Sequence, residues 1–146
     1  AIYKPMSNPT LCRLMRTIRS RFGLHLIPAG SALRYLLTNR YRGPSMTLFI
    51  ADQFPGGEAK CRVTFMNQQT GAFNGAEKLA KATDAVVIYV TIEPRPDSSY
   101  DVHFSLITDH PSETAMGEIT TQFNEKLQHT IEQEPVFWLW SHRRWK

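Results

Sequence analysis

The sequence predicts an α/β fold, a mostly parallel sheet covered by helices, on three observations. Helical and strand-like segments alternate along the chain. One apolar run, "MTLFIAD", is continuous, as in a strand buried on both faces. Another, "AVVIYVTIE", is rich in β-branched residues. With 146 residues, 42% of them apolar and 21% charged, the chain can fill one hydrophobic core and is not disordered by composition. No repeat, linker or low-complexity segment interrupts it, so residues 1–146 read as a single domain.

The elements follow in order. Asn8 suits the N-cap of a first helix, with Pro9 at its first position and Gly23 as its stop. Leu11, Leu14, Met15, Ile18 and Phe22 recur at helical spacing and read as its buried stripe, while Arg13 and Arg16 lie elsewhere on the turn. "LHLIP" reads as a short strand. "SALRYLLTNRYRG" reads as a second helix capped by Ser31 and stopped by Gly43. "MTLFIAD" reads as a buried parallel strand with Asp52 at its carboxyl end. Ligands bind beyond such ends, which places "IADQFPGGE" in the expected site. "CRVTFMN" alternates Val63 and Phe65 with Arg62 and Thr64, as in a half-exposed strand, and "GAEKLAKAT" reads as a short helix. "SYDVHFSLI" pairs with "AVVIYVTIE" through the "PRPDSS" turn. From Thr114 to Glu134 an amphipathic helix carries Met116, Ile119, Phe123, Leu127 and Ile131 at intervals of three or four, and Pro135 ends it.

Charge is distributed unevenly. Residues 1–51 hold eight Lys or Arg and no acid, whereas residues 52–146 hold nine positive and 13 negative side chains. An acid-free third of a chain suits a phosphate-rich partner: nucleic acid, a lipid head group or a small ligand. Solvated helix faces would give the same count. No apolar run approaches the roughly 20 residues of a membrane span, and "AIYKPMSNPT" lacks the apolar core of a secretory signal. The absence of an initial Met suggests a fragment or a processed chain. Cys12 and Cys61 form no CxxC or zinc pattern and read as two free thiols in a reducing compartment.

Familiar catalytic motifs are missing. "FPGGEAK" is not a phosphate-binding Walker loop, and "AGSAL" is not a nucleophile elbow. The five histidines show no metal-ligand spacing. "HTIEQE" places His129 and Glu134 in a His-x-x-x-x-acid pattern, the general base and its orienting carboxylate in membrane acyltransferases. Residues five apart stand at about 140° on a helical wheel, and nothing around the pair completes a site, so this match is set aside. "ADQFPGG" is more informative. Asp52 can hold a cation or accept from a hydroxyl, and Gln53 can fix a polar head group by donating and accepting. A local turn that uses Asp52 as a backbone acceptor is the plain alternative. The closing "FWLWSHRRWK" taken alone is an aromatic and basic patch.

Several blocks, in order, resemble the bacterial lipid A biosynthesis acyltransferases, within the lysophospholipid acyltransferase superfamily. "IYKPMSNP" resembles their Tyr-Arg-Pro…Asn block, and "RSRFG" their Arg-rich helix end. "LFIADQ" resembles a strand ending in Asp-Gln or Asp-His. "VTFMNQQTGAFNGAEKLAKATDAVVIYV" resembles a strand, a Thr-rich turn, Gly-x-x-x-Leu-Ala and an apolar strand. "PVFWLWSHRRWK" resembles the family's ending. The resemblance implies an enzyme at the cytoplasmic face of a Gram-negative inner membrane. It would move a fatty acyl chain from an acyl carrier protein or coenzyme A thioester to a hydroxyl of a phosphorylated glucosamine lipid. It implies no other cofactor, no metal and no nucleic acid partner.

The family's His-x-x-x-x-Asp/Glu dyad precedes its Tyr-Arg-Pro block, and this chain starts at that block. The resemblance therefore implies the carboxyl-terminal part of an acyltransferase domain, without catalytic residues of its own and inactive alone. Such a piece would expose apolar surface that favours self-association. By the same comparison Lys4 and Arg21 are candidate anion contacts, Asp52 and Gln53 polar site residues, and His142, Arg143 and Arg144 either structural or phosphate-facing. Lys4 stands where the family has Arg and lacks its bidentate fork. Phe73 and Asn74 stand where relatives carry Thr. Two alternatives remain: a basic module that binds nucleic acid or anionic membrane, and an acyltransferase acting on another lipid, such as an ornithine lipid or a glycosylated phosphoinositol.

Overall fold

The computed structural model describes residues 1–39, 42–53, 59, 61–142, 144 and 145. The chain, which reads as one domain in sequence, forms two compact units, residues 1–50 and 51–146.

In the first unit a two-residue strand β1 (Ile2–Tyr3) pairs in parallel with β2 (Ile27–Pro28). Between them runs α1 (Pro9–Ser20). Asn8 caps it as expected, its side chain accepting from the Leu11 N–H at 3.0 Å, and Pro9 occupies a position whose N–H needs no helical partner. The chain turns away at Gly23, whose φ of +82° a residue with a Cβ adopts only under strain. The apolar stripe of α1, expected to be buried, is largely exposed: Met15 is half-buried, Leu11, Leu14 and Ile18 are exposed, and no residue of this helix is buried. Helical spacing identifies an apolar side but does not supply anything to cover it. A 3₁₀ turn (Ala29–Ser31) leads into α2 (Ala32–Asn39). Ser31 lies inside that turn and donates its hydroxyl to the Pro28 carbonyl at 3.1 Å. It does not cap the helix.

The expected strand "MTLFIAD" is not a strand. Met46 and Ile50 lie largely in solvent, and the Leu48 carbonyl accepts one backbone bond, from Ile2 at 3.1 Å. A continuous apolar run reads as a buried parallel strand only if parallel neighbours exist on a covered sheet. The described residues instead form three two-stranded sheets, one parallel and two antiparallel. The fold is mixed α/β as predicted, but its sheets are small and not mostly parallel.

The second unit holds the larger core. β3 (Cys61–Phe65) and β4 (Gln68–Ala72) form a hairpin. Its two-residue turn, Met66 and Asn67, has φ of +52° and +59°, the pair of positive values that matches the strands' twist. Gln128 holds this turn in place by accepting from the Met66 N–H at 2.8 Å. α3 (Gly75–Thr83) follows, then the hairpin of β5 (Val87–Pro94) and β6 (Tyr100–Thr108), then α4 (Glu118–Gln133). Val63, Phe65, Ala72, Tyr89, Leu127 and Ile131 form the core. The Tyr89 ring meets Phe123 edge-on at 5.6 Å and its hydroxyl bonds Thr130 at 3.0 Å. On the opposite face of this hairpin, Ile88, Ile92, Val102, Phe104 and Leu106 are exposed.

α4 starts at Gly117, which has a φ of +87° and no capping side chain of its own. Its orphan N–H groups are met from α3. Glu77 is 2% exposed and accepts from Gly117 N–H at 2.6 Å, from Thr120 N–H at 3.1 Å and from the Thr120 hydroxyl. One helical turn on, Lys81 donates to the Thr114 and Ala115 carbonyls. A buried carboxylate at a helix N-terminus satisfies the donors and complements the helix dipole together. Glu77→Ala, which orphans three donors, should lower unfolding free energy by about 2–4 kcal/mol, whereas the exposed Glu113→Ala should change it by less than about 0.5 kcal/mol. Urea denaturation of the two variants checks this.

Candidate functional site

The predicted site residues fall into two groups. Lys4 and Arg21 belong to the first unit and both are exposed. Arg21 follows α1 directly, with its guanidinium carbon 5.6 Å from the centroid of the Phe22 ring. Asp52, Gln53, His142 and Arg144 belong to the second unit, while Arg143 and most of the "IADQFPGGE" loop lie outside the described residues.

Arg144 organises its group. Only 1% of it is exposed. Its Nη1 donates to the carbonyls of Gln53 at 3.1 Å and Gly71 at 3.0 Å, and its Nη2 donates to Asn124 Oδ1 at 3.2 Å. The guanidinium carbon lies 5.3 Å from the centroid of the Phe65 ring. Asn124 is oriented for this by its own amide, which donates to the Thr120 carbonyl at 2.7 Å. Burial pulls the Arg144 guanidinium below its ordinary pKa, and the Asp52 carboxylate pushes it back up. The segment from Asp52 to Gln53 and the carboxyl-terminal tail, 91 residues apart, thus meet at one buried cation. Trp145 completes the junction: its indole N–H donates to the Thr70 hydroxyl at 2.8 Å and its ring stacks on Phe65 at 6.2 Å.

Among the described residues, Asp52 Oδ1, His142 Nδ1 and Arg144 Nε are buried without a hydrogen-bond partner. The fork of Arg144 itself is already engaged by protein oxygens.

Sequence reasoning missed Asn124 and Thr70. The signal for Asn124 was available: it adjoins Phe123 on the apolar flank of α4, where a polar residue needs a buried partner. Thr70 lies in the stretch that resembles the family's Thr-rich turn, offset from Phe73 and Asn74, but nothing in the sequence pairs it with Trp145. A separate cavity of about 630 Å³ opens between Cys61, Arg62 and Asn74 on one side and Gly117, Glu118 and Thr121 on the other. None of the predicted site residues lines it. Among the described residues, no group of three His, Cys, Asp or Glu could hold a metal ion, and no helix is long and apolar enough to cross a membrane. Cys12 and Cys61 are free thiols.

A family model described as "Bacterial lipid A biosynthesis acyltransferase" matches residues 1–146, the whole chain. The chain belongs to this family. No curated protein matches it. For a lipid A biosynthesis acyltransferase, the Arg144 junction joins two of the sequence blocks that carry the resemblance, "ADQ" and "SHRRW", and adds "QTG" of a third through Thr70 and Gly71.

Two outcomes follow from this geometry. Arg144→Lys keeps the charge but cannot reach three acceptors in a fork, so the acyltransferase chain should lose about 2–4 kcal/mol of stability in urea unfolding. An equally stable variant would remove the organising role of Arg144. The second concerns pH. Burial pushes the Tyr89 phenol up, its bond to Thr130 pulls it down, and the Asp52 charge adds a lesser upward push. The unfolded chain then releases this proton first, so stability is full below about pH 10 and falls above it. Tyr89→Phe should make unfolding free energy decline less steeply between about pH 9.5 and 11, measured against the parent chain.

Proposed function

We propose that this chain supplies the acceptor-binding part of an acyl transfer in lipid A biosynthesis. The donor is a fatty acyl thioester of an acyl carrier protein or coenzyme A, and the acceptor is a hydroxyl of a phosphorylated glucosamine lipid. In the reaction the hydroxyl oxygen attacks the thioester carbonyl. A carbon–oxygen ester bond forms, the carbon–sulfur bond breaks, and the thiol leaves with the proton that the hydroxyl gives up. The observation that carries the reading is the family match over all 146 residues. The acid-free run of residues 1–51 supports it, because the acceptor is anionic. The whole enzyme works at the cytoplasmic face of the bacterial inner membrane.

Lys4 and Arg21 are exposed and suit contacts with the acceptor's phosphates. Asp52 and His142 belong to the second unit, where Arg144 holds the chain at Gln53 against β4 and α4. The general base lies outside this chain. His25 stacks on Tyr35 at 5.0 Å, His103 and His110 pair with Glu93 and Asp109 in solvent, and His129 is exposed. His142 has a buried Nδ1, and among the described residues no carboxylate is bonded to it that would orient it as a base.

The purified chain, mixed with acyl carrier protein thioester and the phosphorylated glucosamine lipid, should release no thiol above background. It should bind that lipid at least about tenfold more tightly than its dephosphorylated form. Lys4→Ala and Arg21→Ala should each weaken binding by roughly five- to tenfold. Turnover by the chain alone would place the base within it, and equal binding of the two lipids would remove the acceptor role.

A further inference from the structure

The two faces of the β5–β6 hairpin differ in kind. Its register sets Ile88 beside Leu106, Val90 beside Phe104 and Ile92 beside Val102. Successive residues of a strand point to opposite faces, so these three pairs share one side, and Tyr100 extends the row toward the turn. Val90 is half-buried and the others are exposed, Ile92 at 63%, Phe104 at 60% and Tyr100 at 67%. None of these residues is charged. The charges of the hairpin alternate to the other side: His103 Nε2 lies 3.6 Å from the Glu93 carboxylate, and Arg95 pairs with Asp101 at 2.8 Å beside the turn. That other side also bears Tyr89, which belongs to the core.

We propose that this apolar face is the contact between two copies of the chain, related by a twofold axis. Its size is the first argument. The exposed fractions of the seven residues come to roughly 750 Å² per copy, close to one partner's share of a stable interface of about 1,600 Å². The largest apolar patch on an ordinary monomer is about 300–600 Å². Self-complementarity is the second argument. A twofold axis sets a surface against its own copy, so an unpaired charge on it would meet the same charge. This face brings only apolar side chains and one phenol together, while the hairpin's charges stay outside and are paired within each copy. An acidic, basic or phosphate-bearing partner would find no opposite charge on it. Two hairpins packed face to face lie about 10 Å apart with their side chains interdigitated. Phe104, in the middle pair of the row, supplies the large aromatic anchor that such contacts use. This inference stands on the hairpin alone and not on the acyl-transfer reading, because association is measured without turnover.

The test is sedimentation velocity of the whole chain between about 1 and 100 μM. It should show a monomer–dimer equilibrium with no larger species, because a twofold contact closes at two copies. Phe104→Lys should raise the dissociation constant at least about thirtyfold and Ile92→Lys at least about tenfold. His103→Lys, on the opposite face of the hairpin, and Leu14→Ser, on α1, should each leave it within about twofold. Circular dichroism and urea unfolding of every variant separate lost association from lost folding. Ile92 is the more exposed of the two substituted positions and carries the test if Phe104→Lys does not fold. Four results would each overturn the proposal. They are a monomer throughout that range, whether or not the face binds vesicles or another protein, an open series of larger oligomers, a dimer that withstands the lysine substitutions in folded chains, and a dimer that Leu14→Ser dissociates.

Discussion

The second unit depends on one buried cation. Arg144 sits where the backbone of β4, the flank of α4 and the chain entering at Gln53 come within reach of a single guanidinium. Each contact is a neutral acceptor, and a charge so enclosed has a large desolvation cost. Three hydrogen bonds, the face of the Phe65 ring and the Asp52 carboxylate nearby offset it. A guanidinium can do this because its donors point in fixed directions within one plane, so that carbonyls on different elements are engaged together. The acceptors need it in turn: Gly71 and Gln53 contribute carbonyls that an apolar side chain in the same place would leave unpaired.

Glu77 solves a related problem with the opposite charge. α4 begins at a glycine and brings no cap, so its first turn would be buried against α3 with open N–H groups. α3 answers with Glu77 on the donors and Lys81, four residues later and thus on the same face, on the preceding carbonyls. The two charges are used across the helix junction rather than on each other. Between Glu77 at the first turn of α4 and Gln128 near its end, polar contacts fix where the helix lies along the hairpin of β3 and β4. The apolar contacts of Leu127 and Ile131 then fill the space between.

Where local chemistry decides an element, the sequence showed it. The span of α3, the pairing of β5 with β6 and the Asn8–Pro9 start of α1 follow from caps, β-branched runs and turn residues close in sequence. The errors arose where the answer depended on distant partners. "MTLFIAD" has the composition of a central strand, but composition cannot supply the parallel neighbours that would make it one. α1 has the spacing of a core helix, but spacing does not specify what packs against it. Met66 at positive φ gave no warning either, because only Asn67 of that turn is a residue that tolerates the conformation readily. In the candidate site, Asp52, Gln53 and Arg144 were legible as polar residues in suggestive positions. Their convergence was not, because 91 residues separate Gln53 from Arg144.

That convergence bears on how positive charge is used along the chain. An arginine in a basic tail reads as a contact for anions, and "SHRRWK" invites that reading. Arg144 is instead enclosed, and its fork is occupied by oxygens that cannot be displaced without unpairing β4 and α4 contacts. A phosphate competing for it would have to repay those bonds inside a low-dielectric site, which a solvated phosphate has little reason to do. Lys4 and the arginines of α1 are in the opposite situation: exposed, free of acids nearby in sequence, and able to meet a phosphate without giving up a structural bond. The charge that shapes the site and the charge suited to meet an anionic lipid are therefore carried by different residues, and burial is what separates them.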